Sequence, residues 1–263
     1  MKKLIFLDID GTLIDNYHGL CDINEITRKG IAQAQIHNDV FIASGRTHCF
    51  IAKNILAYPF DGFVMCNGAY VEYHDQCIFK RMIPLEAKQV LIEACKKYNW
   101  DFFIESRDAI YVKDLEDPST KYFMNIWHMD PLTTFDHFKV EEIECYIAMI
   151  NIHSEQEVKL MTDILEPYFD IARHPNKLSF DLNIKGVHKG TGIEALCKNM
   201  GIPIEDTIAF GDGNNDIEMI ETAGVGVAMG NALDNLKKAA DVITDGVLEN
   251  GVVNQLKRMK IIE

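Results

Sequence analysis

The residues that could carry out chemistry begin with two aspartates near the start of the chain. Asp8 and Asp10 end a short apolar run and open the motif DIDGTL at residues 8–13. A lone aspartate at a strand end is usually explained by a turn or a helix cap. Two carboxylates this close repel each other unless a cation lies between them, and Gly11 permits a tight reversal that lets a backbone carbonyl join them. The pattern therefore favours a cation site.

Two further motifs, one with a hydroxyl group and one with a lysine, indicate what ligand the cation would accompany. Residues 43–46 read ASGR, and a hydroxyl followed by glycine at a strand-to-helix junction can present its side chain to a phosphate. Taken alone, Ser44 is better explained as a helix N-cap. Arg46 is either a phosphate contact or half of a structural salt bridge, and we favour the structural role. Lys189, followed by Gly190, opens a predicted helix, where its charge opposes the helix dipole. A phosphoryl oxygen facing Lys189 would explain that placement, whereas most single lysines are merely solvated.

A fourth motif supplies further oxygen ligands. Residues 211–216 read GDGNND and follow a predicted strand, so that Asp212, Asn215 and Asp216 all lie in one polar loop. Such a loop is either a site for a hard cation or a very polar turn. Calcium is the weaker interpretation because the alternating ligands and distal glutamate of an EF-hand are missing. Magnesium together with phosphate fits the residues better.

The elements that must position these loops alternate between strands and helices. Short runs of apolar residues lie at residues 3–8, 39–43, 61–66, 206–210, 224–228 and 241–244. Helical patterns lie between them at residues 23–37, 191–200 and 214–223. Strands that are apolar on both faces suit a parallel sheet covered by helices, so the sequence predicts an α/β fold with a doubly wound, mostly parallel sheet.

The middle of the chain breaks this alternation. A helix at residues 85–99, a hairpin at 101–112, a helix at 155–168 and two strands around a Pro175–Asn176 turn predict an α+β insert. We place the insert at residues 83–185 and the core at residues 1–82 and 186–263. The tip at residues 173–177 is either a substrate contact or a solvated hairpin end.

Composition excludes several classes of protein. The 263 residues include 40 acidic and 26 basic side chains, a formal net charge of −14, and basic residues form no run. Binding to nucleic acid or to an anionic membrane is therefore not expected, because lysines and arginines must neutralise the phosphates there. An anionic substrate would need a bound cation and well-placed basic groups to compensate for this charge.

Cysteines and the start of the chain indicate the compartment. The seven cysteines are scattered and never form a C-x-x-C pair, which favours reduced thiols over disulfides or a zinc site. The apolar run after the first lysines is too short for a signal peptide, and no apolar run approaches the ~20 residues of a membrane span. We expect a cytoplasmic protein.

Together, the four motifs resemble those of the haloacid dehalogenase superfamily of phosphohydrolases, in the same order and at the same strand ends. The insert resembles the C2-type cap of its Cof-type subfamily, as do the turn at residues 66–69 (CNGA) and Asp181 ahead of residues 185–190 (KGVHKG). Ser44 stands where threonine is more common, a change that keeps the hydroxyl. The resemblance covers essentially the whole chain and implies a Rossmann-like core with an inserted cap.

The resemblance also implies a role for each motif residue. Asp8 would be the nucleophile that forms an aspartyl-phosphate, and Asp10 the general acid and base. Mg²⁺ would be held by Asp8, the Asp10 carbonyl and Asp212, with Asp216 orienting its waters. The phosphate-binding residues would be Ser44, Lys189 and Asn215, and the insert would act as a lid.

These implications predict a phosphatase acting on a small phosphorylated metabolite, such as a sugar phosphate. Two alternatives stay open: a phosphomutase, and a phosphate- or metal-binding module without turnover. The presence of Asp10 beside Asp8 argues against the binding module, because only turnover needs a proton shuttle. As partners we expect the metabolite and neither nucleic acid nor membrane, with the chain a monomer or a weak homo-oligomer.

Overall fold

The computed structural model describes residues 2–126, 129–174 and 177–263. The strands are β1 Leu4–Leu7, β2 Asp39–Ala43, β3 Gly62–Met65, β4 Tyr70–Tyr73, β5 Gln76–Lys80, β6 Asp101–Glu105, β7 Ile110–Val112, β8 Thr134–Phe135, β9 Ile147–Asn151, β10 Phe169–Arg173, β11 Ser179–Ile184, β12 Thr207–Gly211, β13 Val225–Ala228 and β14 Val242–Ile243. The helices are α1 Glu25–Ala34, α2 Lys53–Leu56, α3 Leu85–Tyr98, α4 Pro118–Ile126, α5 Val158–Leu165, α6 Lys189–Met200, α7 Ile217–Thr222, α8 Asp234–Ala239 and α9 Gly251–Arg258. They fall into two compact units, Met1–Gly45 with Ile51–Phe79 and His188–Glu263, and Arg46–Phe50 with Lys80–Val187.

The first unit is built on an eight-stranded sheet in the order β14-β13-β12-β1-β2-β3-β4-β5. Strands β14 to β3 pair in parallel, and β3 pairs with β4 in the antiparallel sense. Every residue of β1, β2 and β12 is buried, as expected of central strands covered on both faces. The α/β fold class predicted from the sequence is confirmed.

The strand order reverses direction at β1, and this reversal fixes where a ligand would bind. The chain runs from β1 to β2 and β3 on one side, whereas β12, β13 and β14 extend the sheet on the other side. In an open α/β sheet, ligands bind beyond the carboxyl ends of the strands at such a switch point. The loops that follow β1, β2 and β12 share this edge.

Helix boundaries in the first unit follow local capping residues. The Asn24 side chain accepts a hydrogen bond from Thr27 N at 2.9 Å, so α1 begins at Glu25 and is shorter than the predicted 23–37. Its buried residues, Thr27, Gly30, Ile31 and Ala34, recur at helical spacing. The helix predicted at 214–223 begins as a 3₁₀ turn, Asn214–Asp216, before α7.

The second unit is an α+β unit with its own sheet, in the order β10-β11-β9-β6-β7-β8. Its strands pair in the antiparallel sense apart from β7 and β8, which are parallel. The predicted hairpin at 101–112 forms as β6 and β7. Its described core includes Phe103, Ile110, Val112, Met129 and Met149.

Some features differ from the sequence prediction or lie beyond it. The β4–β5 hairpin and helix α4 were not predicted. The Pro175–Asn176 turn lies outside the described residues, while the strands that flank it, β10 and β11, do pair. Across the described residues, no helix has both the length and the apolar character of a membrane span.

Candidate active site

Two of the predicted aspartates are brought together by the pairing of β1 with β12. Leu7 lies opposite Phe210 in the parallel register, so Asp8, directly after β1, lies beside Gly211, the last residue of β12. The Asp8 amide still donates to the Phe210 carbonyl at 3.1 Å, which continues the ladder to the point where the side chains diverge. Asp212 then follows directly in the second loop.

The two loops place three carboxylates around one point. Oxygen atoms of Asp8, Asp212 and Asp216 all lie within 4.8 Å of one another. Asp216 is organised by its own loop, because its Oδ2 accepts hydrogen bonds from the backbone amides of Asp212 and Gly213, each at 3.0 Å. This carboxylate thus shapes the loop that carries Asp212.

Lys189 completes the cluster from the first position of α6. Its ammonium lies 2.7 Å from Asp8 Oδ1 and 2.6 Å from Asp216 Oδ1, and its side chain is wholly buried. Helix α6 begins here because the His188 side chain accepts from Thr191 N. The two carboxylates explain a lysine at a helix N-terminus, where the dipole alone would disfavour it.

Burial and mutual repulsion shift the proton affinities in this cluster. Burial raises the pKa of Asp8 to about 8, with the charge of Asp216 adding to the rise and Lys189 opposing it. Burial likewise raises the pKa of Asp212 to about 7, again with a contribution from Asp216 and a smaller one from Asp10. Burial disfavours the Lys189 ammonium, but the charges of Asp216 and Asp8 outweigh it and raise its pKa.

The other predicted residues lie near this cluster in different ways. Asp10 is exposed two residues after Asp8, and its charge acts on Asp212. Ser44 is buried at the end of β2, where its amide donates to Val64 O at 2.8 Å. Asn215 donates to Asn67 Oδ1 at 3.2 Å, and a Cβ built on Gly45, next to Ser44, would lie 3.4 Å from Asn215 Nδ2. Ser44 and Asn215 therefore belong to adjacent loops.

Arg46 makes a local contact. Its guanidinium donates to the Phe50 carbonyl at 3.0 Å, within the short segment 46–50 that belongs to the second unit. The structural role favoured from the sequence stays a prediction.

Comparison with known proteins decides the family. A model of the haloacid dehalogenase-like hydrolases matches residues 5–256. The chain belongs to this family. It is 34% identical over 264 residues to YkrA of Bacillus subtilis (strain 168), which carries a provisional phosphatase name, and the match covers 100% of this chain and 99% of YkrA.

Two further proteins are similar to this chain over nearly their whole length. A phosphoglycolate phosphatase of Methanopyrus kandleri is 27% identical over 265 residues, covering 98% of this chain and 97% of the relative. The solved structure of the subclass IIB sugar phosphatase BT4131 superposes with a TM-score of 0.83 at 30% identity, covering 99% of this chain and 100% of that one. The chain is therefore a phosphatase-type enzyme, and the resemblance seen in its motifs is confirmed.

The residues present fit a divalent cation of the kind this family uses. Asp8, Asp212 and Asp216 carry three negative charges and Lys189 one positive charge, so the ionised cluster has a net charge of −2 (−3 + 1). Its donors are carboxylate oxygens, which suit Mg²⁺ as a hard cation. A small divalent ion would balance this negative charge, which adds to the effect of burial in raising the pKa of Asp8 and Asp212.

Gly11 makes the close approach of the two loops possible. Its φ is +80°, and a Cβ there would lie 2.0 Å from Asp212 Oδ2. A side chain at this position would displace the Asp212 carboxylate. The glycine is therefore required both by the backbone conformation and by the space.

Two asparagines near the cluster were missing from the predicted site residues. Asn231 Nδ2 donates to the Gly11 carbonyl at 2.8 Å, and its Oδ1 accepts from Val247 N at 2.8 Å, so it joins the DIDGTL loop to the turn before α9. The sequence signal for Asn231 is its place directly after Met229 and Gly230, beyond the end of β13. Asn67 bonds to Asn215 and was noted only as part of the CNGA turn.

Proposed function

We propose that the chain is a magnesium-dependent phosphatase that hydrolyses phosphomonoesters of small metabolites through an aspartyl-phosphate on Asp8. One observation carries the proposal: Lys189 contacts Asp8 and Asp216 in a buried cluster that also includes Asp212, and the ionised cluster retains a net charge of −2. Such a cluster suits a divalent cation and a phosphoryl group better than it suits a neutral ligand. The phosphatase names of the relatives support the same reaction.

The metal in this proposal is held by Asp8, Asp212 and the backbone carbonyl of Asp10, with Asp216 acting through water molecules. When bound, Mg²⁺ would supply positive charge that keeps the Asp8 carboxylate ionised and offsets the charge of the phosphoryl oxygens. Burial raises the pKa of Asp8 to about 8, and a nearby cation would oppose this rise by favouring the ionised carboxylate. Within this proposal, residues 1–82 and 186–263 form the catalytic core and residues 83–185 the cap.

The chemical steps use two carboxylates with different protonation states. An oxygen of Asp8 attacks phosphorus, and the bond from phosphorus to the ester oxygen breaks as Asp10 gives that oxygen its proton. The alcohol leaves, and the phosphoryl group remains bound to Asp8. Asp10, now ionised, takes a proton from a water molecule whose oxygen attacks phosphorus. The bond from phosphorus to the Asp8 oxygen breaks, so inorganic phosphate leaves, Asp8 is again a carboxylate and Asp10 is again protonated.

The transferring phosphoryl group is held by Ser44, Lys189 and Asn215 in this proposal. Its three peripheral oxygens carry most of the charge in the transition state, so donors fixed in place before the reaction contribute most to catalysis. Lys189 is suited to this role because its ammonium is held in place by Asp8 and Asp216. Removing one such donor costs about 10²–10³-fold in rate in comparable sites.

The substrate class follows from the relatives. A sugar phosphatase and a phosphoglycolate phosphatase are both similar over nearly the whole chain, so we propose a small phosphorylated metabolite of two-carbon to sugar size. Function in the cytoplasm belongs to the same proposal, and the free thiols of all seven cysteines support it. A monomer or weak homo-oligomer is likewise proposed.

The test is hydrolysis of p-nitrophenyl phosphate and of a panel of phosphorylated metabolites, with and without Mg²⁺. Wild-type protein should release phosphate only with the metal, and Asp8→Asn should lose at least about a thousandfold in kcat. Asp206→Asn is the matched control, because Asp206 lies before β12, where it pairs with Lys3. The control should keep full activity.

Three results would contradict the proposal. Full activity of Asp8→Asn would show that Asp8 is not the nucleophile. An isomerised sugar phosphate without free phosphate would indicate a mutase. Tight binding of metabolites without any phosphate release would indicate a binding module.

A further inference from the structure

The turn that follows β3 adopts an unusual backbone conformation. Three consecutive residues, Cys66, Asn67 and Gly68, have φ angles of +54°, +49° and +93°. Left-handed backbone is unfavourable for residues that carry a Cβ, and a run of such residues persists only where its surroundings hold it in place. The segments that surround the turn therefore hold it in this conformation.

Two contacts hold this turn against neighbouring segments. A Cβ on Gly68 would lie 2.0 Å from the carbonyl oxygen of His188, and a Cβ on Gly192 would lie 3.0 Å from the Gly68 Cα, so the turn packs directly on the first turn of α6. The backbone N–H of Asn67 donates to the backbone carbonyl of Ser44 at 3.2 Å. The turn is therefore tied to both the helix that carries Lys189 and the loop that carries Ser44.

The Asn67 side chain is directed into this junction. The residue is only 7% exposed, and its Oδ1 accepts a hydrogen bond from Asn215 Nδ2 at 3.2 Å. Gly45 leaves the space for the pair, because a Cβ there would lie 2.9 Å from Asn67 Oδ1. An amide nitrogen carries two hydrogens, so this bond uses one of them and fixes the direction of the other.

A purely conformational role would explain why an asparagine lies here, but it does not explain the hydrogen bond between its side chain and Asn215. Asparagine is the residue other than glycine that most readily adopts left-handed backbone, and glycine would serve the backbone better still. Asn250 is a suitable comparison, since it has φ +59° and ψ +40°, close to the +49° and +40° of Asn67. What sets Asn67 apart is its bond to a proposed phosphate ligand.

We propose that Asn67 is a positioning residue that orients the Asn215 carboxamide, so that the second N–H of Asn215 points at the transferring phosphoryl group. The inference rests on the proposed function, in which Asn215 is a phosphate ligand. Asn67 acts through Asn215: it holds the Asn215 side chain in one orientation and adds no charge to the site. The backbone strain of the turn is then the cost of placing this amide beside Gly45.

The first test is Asn67→Gly, which removes the carboxamide and suits the left-handed backbone. We expect kcat/KM to fall about tenfold, because the variant loses the hydrogen bond that orients the Asn215 carboxamide and one such bond contributes a factor of this size. The melting temperature should shift no more than it does in the control Asn250→Gly, which should keep wild-type activity. Wild-type kcat/KM in Asn67→Gly would overturn the proposal.

A double-mutant cycle shows whether Asn67 acts through Asn215. In an Asn215→Ala background, Asn67→Gly should cost nothing further, because the group that it orients is already absent. The same tenfold loss in both backgrounds would mean that Asn67 acts by another route, and would overturn the inference.

Direct binding of inorganic phosphate separates this inference from the proposed function. With Mg²⁺ present, isothermal titration should show phosphate binding about tenfold more weakly to Asn67→Gly than to the wild type. The measurement holds even if the wild type hydrolyses no ester on the panel, in which case the phosphatase proposal fails by itself. Unchanged phosphate affinity would overturn the role of Asn67.

Discussion

Lys189 and Asp216 form an ion pair in which neither side chain is exposed, with 2.6 Å between Nζ and Oδ1. A buried charge is costly unless it is paired and hydrogen-bonded, so each of these groups depends on the other. Asp216 also accepts hydrogen bonds from the backbone amides of Asp212 and Gly213 in the GDGNND loop. The pair therefore links helix α6 to the loop that carries Asp212.

Replacing Lys189 by methionine should leave Asp8 and Asp216 without compensation. We expect the free energy of unfolding to fall by about 3–5 kcal/mol and phosphatase activity to be lost. Added Mg²⁺ should restore more stability to this variant than to the wild type, because the ion replaces the missing positive charge. Denaturant unfolding with and without Mg²⁺ measures both effects.

Lys88→Met is the matched control, since Lys88 is also buried but donates to a carbonyl, that of Ile143, at 2.7 Å. Its free energy of unfolding should fall by about 1–3 kcal/mol, because the Ile143 carbonyl loses the hydrogen bond from Lys88. Mg²⁺ should stabilise it no more than the wild type, and its activity should be kept. Equal responses of the two variants to Mg²⁺ would contradict the role of Lys189.

Two glycines with the same backbone conformation should differ sharply in what an added methyl group does. Gly11 and Gly19 have φ angles of +80° and +82°, but only at Gly11 would a Cβ meet a neighbour, the Asp212 carboxylate at 2.0 Å. Gly19→Ala should cost about 1 kcal/mol of backbone strain and leave activity intact. Gly11→Ala should also displace Asp212 and reduce kcat/KM by at least about a hundredfold.

Melting curves and initial rates for both variants are sufficient to check this difference. Equal losses of activity in the two would mean that backbone strain, and not the space beside Asp212, is what requires glycine at position 11.

Much of this site follows from the sequence because its main residues flank regular elements. Asp8 and Asp212 come directly after apolar runs, and neighbouring parallel strands place their carboxyl ends together. Lys189 is the first residue of a helix that an N-cap starts. A pattern of strands and helices is enough to bring such residues to one edge of a sheet.

The side-chain pairs between distant loops could not be predicted in this way. Asn231 and Gly11 are 220 residues apart, and the orientation of the amide depends on packing that no local pattern records. The β4–β5 hairpin escaped prediction because its turn places His74 and Asp75 at φ +47° and +61°, where Asn-Gly is the usual signal. Helix α4 did carry a signal, an aspartate followed by Pro118, and Asp117 indeed accepts from Ser119 N at 2.8 Å.

Mg²⁺ should stabilise the wild type against heat, because it binds the folded carboxylate cluster and not the unfolded chain. At a hundred times its dissociation constant the ion contributes about 2.7 kcal/mol, or ~5–10 °C in melting temperature. Asp212→Asn should remove most of this shift. Asp206→Asn, at the opposite end of β12, should retain it, and a full shift in Asp212→Asn would place the metal elsewhere.

A buried carboxyl in the second unit should make stability depend on pH. Glu105 is buried at the end of β6 and accepts a hydrogen bond from Thr47 Oγ1 at 3.1 Å. Burial raises its pKa from 4.5 to about 8, and the charge of Asp181, which lies 2.9 Å from His174 Nε2, adds to the rise. The folded protein therefore holds a proton at Glu105 that the unfolded chain releases above pH 4.5.

Because the folded state binds the extra proton, this contribution to stability is complete below pH 4.5 and is lost as the pH rises to about 8. The unfolding free energy should fall by up to about 1.4 kcal/mol per pH unit between these limits. Glu105→Gln keeps an acceptor for Thr47 without a titrating group, so its profile should be flatter. Glu144→Gln, at an exposed position paired with Lys80, should keep the wild-type slope from pH 5 to 8. Parallel profiles for wild type and Glu105→Gln would show that Glu105 is ionised in the folded protein.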